Sequence, residues 1–208
     1  MNPATTMNPL RRELEIVAAW IQPGARVLDL GCGDGLLLDY LVHHKGVTAY
    51  GLEIDPAKVA RCMERGVNVV HADLDKGIRD FRKDSFDHVI LSQALQAVHY
   101  PDKLLEEVLR VGREGIITFP NIGYWRMRFQ FMFHGCMPRG PALPFAWYNT
   151  PNIRLCTVRD FEHLCASLGI GIVERRLLDR AHHSHVIMNL APNLFGEIAL
   201  YRIQREVA

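Results

Sequence analysis

Short apolar runs alternate with amphipathic helical patterns along this sequence, and the alternation constrains the fold more than any other feature. The apolar runs have the length of strands and occur at 26–30, 47–53, 67–72, 86–92 and 115–120. They lack the polar–apolar alternation of half-exposed strands, so we expect both faces of each strand to be buried. The pattern therefore predicts a doubly wound α/β fold, in which helices cover both faces of a mostly parallel sheet.

The last quarter of the sequence departs from this alternation. A helix is predicted to begin after Thr157, because Thr157 and Asp160 have the spacing of a capping box. Two strand-like runs follow, at 170–177 and 197–205, and no helical pattern of convincing length separates them. We therefore predict that they form an antiparallel hairpin at the edge of the sheet.

A length of 208 residues is enough for one full-sized core and too short for two. We therefore predict a single domain with four parts. These are an N-terminal helix region (1–23), a ligand-binding half (24–120), an aromatic-rich lid insertion (121–156), and a helix with edge strands (157–208).

Composition and charge exclude several classes of protein. The formal net charge of +1 gives no electrostatic reason to expect nucleic acid or an anionic membrane as a partner. No segment approaches the roughly 18 apolar residues of a membrane span, and the first residues lack the pattern of a signal peptide. The five cysteines contain no C-x-x-C pair. We therefore expect a cytoplasmic protein with reduced thiols.

A glycine-rich loop follows the first predicted strand, with Gly31, Cys32, Gly33 and Gly35 directly after Asp29 and Leu30. Open parallel sheets bind ligands at this position, and glycine lets the backbone turn sharply and approach a ligand. The spacing G-x-G-x-G differs from the G-x-G-x-x-G of pyrophosphate-binding folds. The acidic Asp29 would repel phosphate and attract an ammonium or sulfonium group, so the loop favours a cationic ligand.

Two more acidic residues end the second and third predicted strands. Glu53 follows Gly31 by 22 residues, and a carboxylate there can accept hydrogen bonds from both hydroxyls of a ribose. Asp73 could accept a hydrogen bond from an adenine amino group. Each residue also has a structural explanation, Glu53 as a solvated strand end and Asp73 as a helix N-cap. Taken together with Asp29, they predict a site for an adenosine linked to an amino acid.

Residues 120–150 interrupt the regular alternation and contain eight of the eighteen aromatic residues of the chain. A helical pattern is followed there by a loop rich in Pro and Gly, and long irregular insertions tend to be lids or binding surfaces. Because Trp, Tyr and Arg dominate binding hot spots, we predict substrate or partner contacts for Trp125, Arg126, Trp147 and Tyr148. The alternative is that these aromatic residues form the core beneath a lid helix.

His182, His183 and His185 are the one histidine cluster in the sequence. On a strand, His183 and His185 would share a face, but a third ligand for a metal ion is not apparent. We therefore predict a solvated loop or edge strand here, and no metal site.

Four segments resemble the successive motifs of class I S-adenosylmethionine-dependent methyltransferases. They are VLDLGCGDG, YGLEID, HADL and FDHVILSQAL, within 24–120. The resemblance implies a seven-stranded sheet with an antiparallel last strand, and S-adenosylmethionine or S-adenosylhomocysteine as the cofactor. It implies that Glu53 holds the ribose, while Ile54 and Leu74 flank the adenine. The implied cofactor-binding residues are Asp29, Gly31, Cys32, Gly33, Gly35, Glu53, Ile54, Asp73, Leu74 and Ser92.

A narrower resemblance covers nearly the whole chain. GYWRMR (123–128) and WYNTPNIR (147–154) are similar to segments of the MetW methionine-biosynthesis family. This resemblance implies that the chain acts with the homoserine O-acyltransferase MetX in making O-acylated homoserine. A cofactor-binding accessory protein of this kind would sense S-adenosylmethionine, the end product of the pathway, by differential binding.

The residues after the fourth strand bear on a second hypothesis, a methyltransferase acting on a small carboxylate or hydroxyl substrate. Many small-molecule methyltransferases carry an acidic residue and a histidine here, but this chain has Leu95, Gln96 and Ala97. His99 lies two residues further on, in a different register. The absence of N/D-P-P-Y at 92–95 argues against methylation of a nucleobase amine. Methyl transfer from a sulfonium needs little beyond proximity and alignment, so both hypotheses stay open.

Overall fold

The structure is a computed structural model that describes residues 10–179, 188 and 190–206. The strands are β1 (Arg26–Leu30), β2 (Thr48–Glu53), β3 (Val69–His71), β4 (Phe86–Ser92), β5 (Gly112–Pro120), β6 (Ile170–Leu178) and β7 (Ile198–Arg205). The helices are α1 (Arg12–Trp20), α2 (Leu36–Lys45), α3 (Pro56–Glu64), α4 (Pro101–Val111), α5 (Trp125–His134), α6 (Val158–Ser167) and α7 (Pro192–Phe195), with 3₁₀ turns at Leu74–Lys76 and Leu95–Ala97.

All seven strands form one sheet in the order β3-β2-β1-β4-β5-β7-β6. The neighbours among β1 to β5 are parallel, whereas β7 is antiparallel to both β5 and β6. The predicted α/β fold and the C-terminal antiparallel hairpin are therefore confirmed. Within that hairpin, β6 is the edge strand and β7 lies inside the sheet.

Apolar side chains cover both faces of the sheet. One core contains side chains of α1 and α2 together with Cys62 of α3, and the other contains side chains of α4 and α6. Burial of each large apolar side chain stabilises the fold by about 1.5–3 kcal/mol. Because both faces are covered, β1 buries every residue after Arg26, which explains why its sequence does not alternate.

Capping residues start two of the helices where the sequence predicts them. Asp55 caps α3, and its side chain accepts a hydrogen bond from the backbone N–H of Ala57. Thr157 and Asp160 form the predicted reciprocal capping box at the start of α6. Both helices therefore begin at positions that local hydrogen bonding fixes.

Strand β5 begins at Gly112, earlier than the predicted start at 115. Its first residues are polar, and a charged run is a poor strand signal. Glu114 lies opposite β7, where the guanidinium of Arg202 donates to its two carboxylate oxygens at 2.9 and 3.0 Å. This cross-strand pair satisfies the charge and lets the strand continue beyond its apolar part.

The insertion at 121–156 connects β5 to α6, and it contains α5 followed by a long loop. The buried side chain of Asn121 fixes its start. The Asn121 Nδ2 donates to the carbonyls of Asn193 and Gly196, while Oδ1 accepts from the backbone N–H groups of Gly123 and Val158. Among the described helices, none is long and apolar enough to cross a membrane.

Candidate functional site

The glycine-rich loop after β1 owes its shape to three left-handed residues. Gly31, Gly33 and Gly35 have φ angles of +77°, +61° and +76°, a conformation that residues with a side chain rarely adopt. The backbone N–H of Gly31 donates to the carbonyl of Leu52 at 2.8 Å, which ties the loop to β2. A Cβ atom on Gly31 would lie 3.1 Å from that of Ala94. The spacing G-x-G-x-G is therefore required by the backbone.

A cavity of about 310 Å³ opens beside this loop, at the carboxyl ends of the parallel strands. Six of the residues predicted from the sequence line it: Gly31, Glu53, Ile54, Asp73, Leu74 and Ser92. The other four, Asp29, Cys32, Gly33 and Gly35, belong to the loop and strand behind this wall. Residues from four separate strand ends thus meet around one space, which is where open α/β sheets bind ligands.

The Glu53 carboxylate holds the loop and the end of β2 together. Its Oε2 accepts a hydrogen bond from the backbone N–H of Gly33 at 2.9 Å. Its Oε1 accepts from the backbone N–H groups of Ile54 and Asp55 at 2.9 and 3.0 Å. An ionised carboxylate has about four acceptor positions, so Glu53 keeps capacity for a hydroxyl donor in the cavity.

Asp29 is a buried carboxyl group whose charge is poorly compensated. Its residue is 2 % exposed, and Oδ1 has no hydrogen-bond partner among the described residues. Burial, followed by the negative charge of Glu53, raises the pKa of Asp29 to about 7. Leaving a carboxylate buried without a partner is unfavourable, so the site suits a ligand that brings a positive charge.

Cys32 lies inside the glycine loop, and its side chain packs into the core. Its Sγ is 3.8 Å from the Sγ of Cys62, and it occupies the space where a side chain at Gly51 would lie. Burial, with the charge of Asp29 next, raises the pKa of the Cys32 thiol well above its ordinary range. Such a thiol is unreactive, so the role of its side chain is packing.

Asp73 and Leu74 form the part of the cavity that follows β3. The Asp73 side chain caps the 3₁₀ turn Leu74–Lys76 by accepting from the backbone N–H of Asp75 at 3.0 Å. Asp73 therefore has the N-cap role that the sequence offered as its alternative, and it also lines the cavity. Ile54 lines the same cavity although it is 58 % exposed, so Ile54 and Leu74 both offer apolar surface to a planar ring.

Gln93 is a cavity residue that sequence reasoning missed. It follows Ser92 and has a φ of +51°, and strained backbone of this kind is concentrated at functional sites. Its Nε2 lies 2.8 Å from both carboxylate oxygens of Glu13, which is 1 % exposed and belongs to α1. Gln93, Glu13 and Glu197 also line a second cavity of about 110 Å³. No sequence signal indicates a left-handed glutamine.

The residues after β4 hold no evident general base. Gln96 is buried, its Oε1 lacks a hydrogen-bond partner within the described chain, and its carbonyl accepts from the backbone N–H of Arg154 at 2.9 Å. The exposed His99 is held at Nδ1 by Asp75, at 2.6 Å. Pro151 and Asn152 of the insertion line the cavity beside these residues, and the sequence did not predict them either.

Of the four predicted substrate or partner residues, two are strongly exposed. Trp147 and Tyr148 are each 74 % exposed and touch edge to face, with ring centroids 5.8 Å apart. Trp125 is half-buried at the start of α5, and the guanidinium of Arg126 lies 5.1 Å from its ring centroid. Core packing, the alternative role, therefore does not describe Trp147 or Tyr148. His182, His183 and His185 lie outside the described residues, so their interpretation stays a prediction.

The chain is similar in sequence to proteins of a known family. A family model described as methionine biosynthesis protein MetW matches residues 11–203. The chain belongs to the MetW family. It is 36 % identical over 202 residues to the bifunctional methionine biosynthesis protein MetXA/MetW of Rhodopirellula baltica. The matched region covers 93 % of this chain and 32 % of that protein. This MetW-family chain therefore spans about a third of that relative's length.

Two further similarities concern methyltransferases. A ubiquinone biosynthesis O-methyltransferase of Hahella chejuensis is 29 % identical, over 76 % of this chain and 74 % of that protein. A solved S-adenosylmethionine-dependent methyltransferase from Archaeoglobus fulgidus superposes with a TM-score of 0.66 at 18 % identity, over 94 % of this chain and 95 % of that one. The chain thus belongs to a family described as methionine biosynthesis proteins and has the fold of class I methyltransferases.

Proposed function

We propose that this MetW-family chain binds S-adenosylmethionine in the 310 Å³ cavity and assists the homoserine O-acyltransferase MetX in forming O-acylhomoserine. The observation that carries the cofactor assignment is the pair of buried carboxyl groups at neighbouring strand ends. Asp29 and Glu53 are 2 % and 5 % exposed. Among the described residues Asp29 has no ion pair, and Glu53 has spare acceptor capacity, as a sulfonium nucleoside with a free ribose requires.

Each part of the cofactor has a matching group in the cavity or directly behind its wall. Asp29 would compensate the positive charge of the methionine end, and Glu53 would accept a hydrogen bond from a ribose hydroxyl. Ile54 and Leu74 would flank the adenine, and Asp73 would accept from its amino group. When bound, the cofactor supplies a methyl group activated by a sulfonium.

The partnership with MetX is supported by the Rhodopirellula baltica relative, in which a MetXA part and a MetW part belong to one protein. Fusion raises the effective concentration of one part near the other and favours their association. We extend this association to the separate chain. The cytoplasmic location and the single domain expected from the sequence belong to the same proposal.

An accessory role fits the residues after β4. Gln96 and Ala97 occupy the positions of a general base, and the Nδ1 of His99 is already hydrogen-bonded to Asp75. The second candidate function is methyl transfer to a small hydroxyl substrate. It is favoured by the cavity that Gln93 and Glu13 line, which brings a carboxylate beside the cofactor cavity, and by the O-methyltransferase relative.

The test measures MetX acyltransferase activity with and without this chain, and with and without S-adenosylmethionine. An accessory protein changes the MetX rate, and the change depends on the cofactor. A parallel incubation with labelled S-adenosylmethionine and homoserine-pathway metabolites should then yield no methylated product. Rapid turnover of such a metabolite, with the MetX rate unchanged, would replace the accessory role by the methyltransferase role.

A further inference from the structure

Helix α5 is rich in aromatic residues and methionine, although most of its side chains are not buried. Its ten residues, Trp125–His134, include four aromatic rings and two methionines, yet only Met127 is buried. An exposed helix normally carries polar residues toward solvent, and a helix that is apolar all round is normally buried. Within the described residues, therefore, most of the apolar surface of α5 has no cover.

We call six of the large exposed side chains of this connection the aromatic surface: Phe129, Phe131, Met132, Phe133, Trp147 and Tyr148. Their exposure ranges from 48 % at Phe129 to 74 % at Trp147 and Tyr148. The rings of Phe129 and Phe133 stack with centroids 5.6 Å apart. Phe131 lies two residues from each, about 200° around the helix. The aromatic surface thus extends over opposite sides of α5.

We propose that the aromatic surface is the docking site for MetX, with α5 entering an apolar groove of that enzyme. This assignment rests on the proposed function, which supplies the partner. Large exposed apolar patches mark interaction sites, and an apolar helix seated in a groove is a recurring mode of protein recognition. The aromatic residues and arginines present here are the types that dominate the energetics of protein interfaces.

The charge of residues 121–156 indicates which residue types should surround that groove. Residues 121–156 contain four arginines and no aspartate or glutamate, although the whole chain has 24 basic and 23 acidic residues. Such a segregation of charge favours a partner with acidic residues around the apolar groove. The arginines are Arg126, Arg128, Arg139 and Arg154.

The same observations disfavour two other occupants. In a symmetric dimer the aromatic surface would face its own copy, which would bring two basic segments together without acidic residues between them. Helices that lie on a membrane have one apolar face and one strongly polar face. A flat bilayer cannot cover Phe129 and Phe131 on opposite sides of α5 at the same time, whereas a protein groove can.

The test compares the binding of purified MetX to the wild-type chain and to three variants. Phe131→Ala and Trp147→Ala should each weaken binding about thirtyfold or more, the scale of hot-spot truncations. The matched control is Met63→Ala, which shortens a side chain that is 68 % exposed on α3, and it should bind like wild type. Melting temperature and S-adenosylmethionine affinity should be unchanged in all three, since the residues lie outside the cores and the cavity.

A second measurement keeps the aromatic ring. A photoreactive phenylalanine analogue at position 131 should cross-link to MetX, and the same analogue at position 63 should not. If the wild-type chain binds MetX and both alanine variants bind it equally well, the assigned surface is wrong and the proposed function stays intact. Failure of the wild-type chain to bind MetX or to change its activity would overturn both. Dimerisation of the chain alone through position 131, or binding to phosphatidylserine vesicles abolished by Phe131→Ala, would assign the surface to another occupant.

Discussion

Replacing Asp29 by Asn should stabilise the ligand-free protein at pH 8 and reduce its stabilisation by S-adenosylmethionine. Asp29 is 2 % exposed, and burial together with the charge of Glu53 raises its pKa from an ordinary 3.8 to about 7. The substitution Asp29→Asn keeps the shape of the side chain and removes its ionisation. Its effect on the free energy of unfolding should therefore depend on pH.

The magnitude follows from the pKa of Asp29. A rise from 3.8 to about 7 corresponds to about 4 kcal/mol, because each pKa unit is worth about 1.4 kcal/mol. Between these two values the folded protein keeps a proton that the unfolded chain has lost. The free energy of unfolding of the wild type therefore falls as the pH rises through this window. Asp29→Asn should match the wild type near pH 4 and exceed it by up to about 4 kcal/mol at pH 8.

Urea unfolding from pH 4 to pH 8, with and without S-adenosylmethionine, measures both effects. At pH 8 the cofactor should stabilise the wild type more than Asp29→Asn, because its positive charge compensates only a carboxylate. The matched control is Asp34→Asn in the same loop, where the carboxylate is 42 % exposed, and this variant should not show the gain in stability at pH 8 that Asp29→Asn shows. If Asp29→Asn is no more stable than the wild type at pH 8, the carboxyl group is not held in the unfavourable environment described above.

Three further predictions concern the loop, the ribose position and a helix cap. Gly31→Ala should lower the melting temperature and S-adenosylmethionine affinity together, since it adds a Cβ 3.1 Å from that of Ala94 at a φ of +77°; unchanged values of both would contradict the backbone requirement. Glu53→Ala should weaken cofactor binding by about 1–3 kcal/mol in calorimetry, and unchanged affinity in a folded variant would remove Glu53 from the site. Thr157→Ala should cost about 1 kcal/mol in urea unfolding without altering cofactor affinity, because it removes only the capping box with Asp160.

The sequence predicts the parallel strands of the ligand-binding half (24–120) well because local signals and strand topology determine them. A parallel sheet brings the carboxyl ends of neighbouring strands to one edge, so residues that end strands in the sequence meet in space. Gly31, Glu53 and Asp73 line one cavity for this reason. The positive φ angles at Gly31, Gly33 and Gly35 show that the glycine pattern encodes backbone geometry.

Contacts between distant segments of the chain are not encoded in this way. The Gln93 amide reaches Glu13, 80 residues away, and the left-handed backbone of Gln93 leaves no trace in residue type. Pro151 and Asn152 reach the cavity from the insertion, which lacks regular periodicity. The exposure of Phe131 also runs against residue type, since phenylalanine is most often buried. That contradiction is what indicates a partner.

Strand β7 also determines the order in which the sheet can form during synthesis. β7 pairs with β5 on one side and with β6 on the other. Its pairing with β5 brings together residues far apart in the sequence, such as Glu114 and Gln204. A nascent chain that ends before 198–205 therefore has an open edge on β5 and no strand partner for β6. Unpaired strand edges promote aggregation, and pairing between distant segments is slow. Loss of β7 should thus release β6 as well and leave the parallel strands as the largest unit able to assemble early.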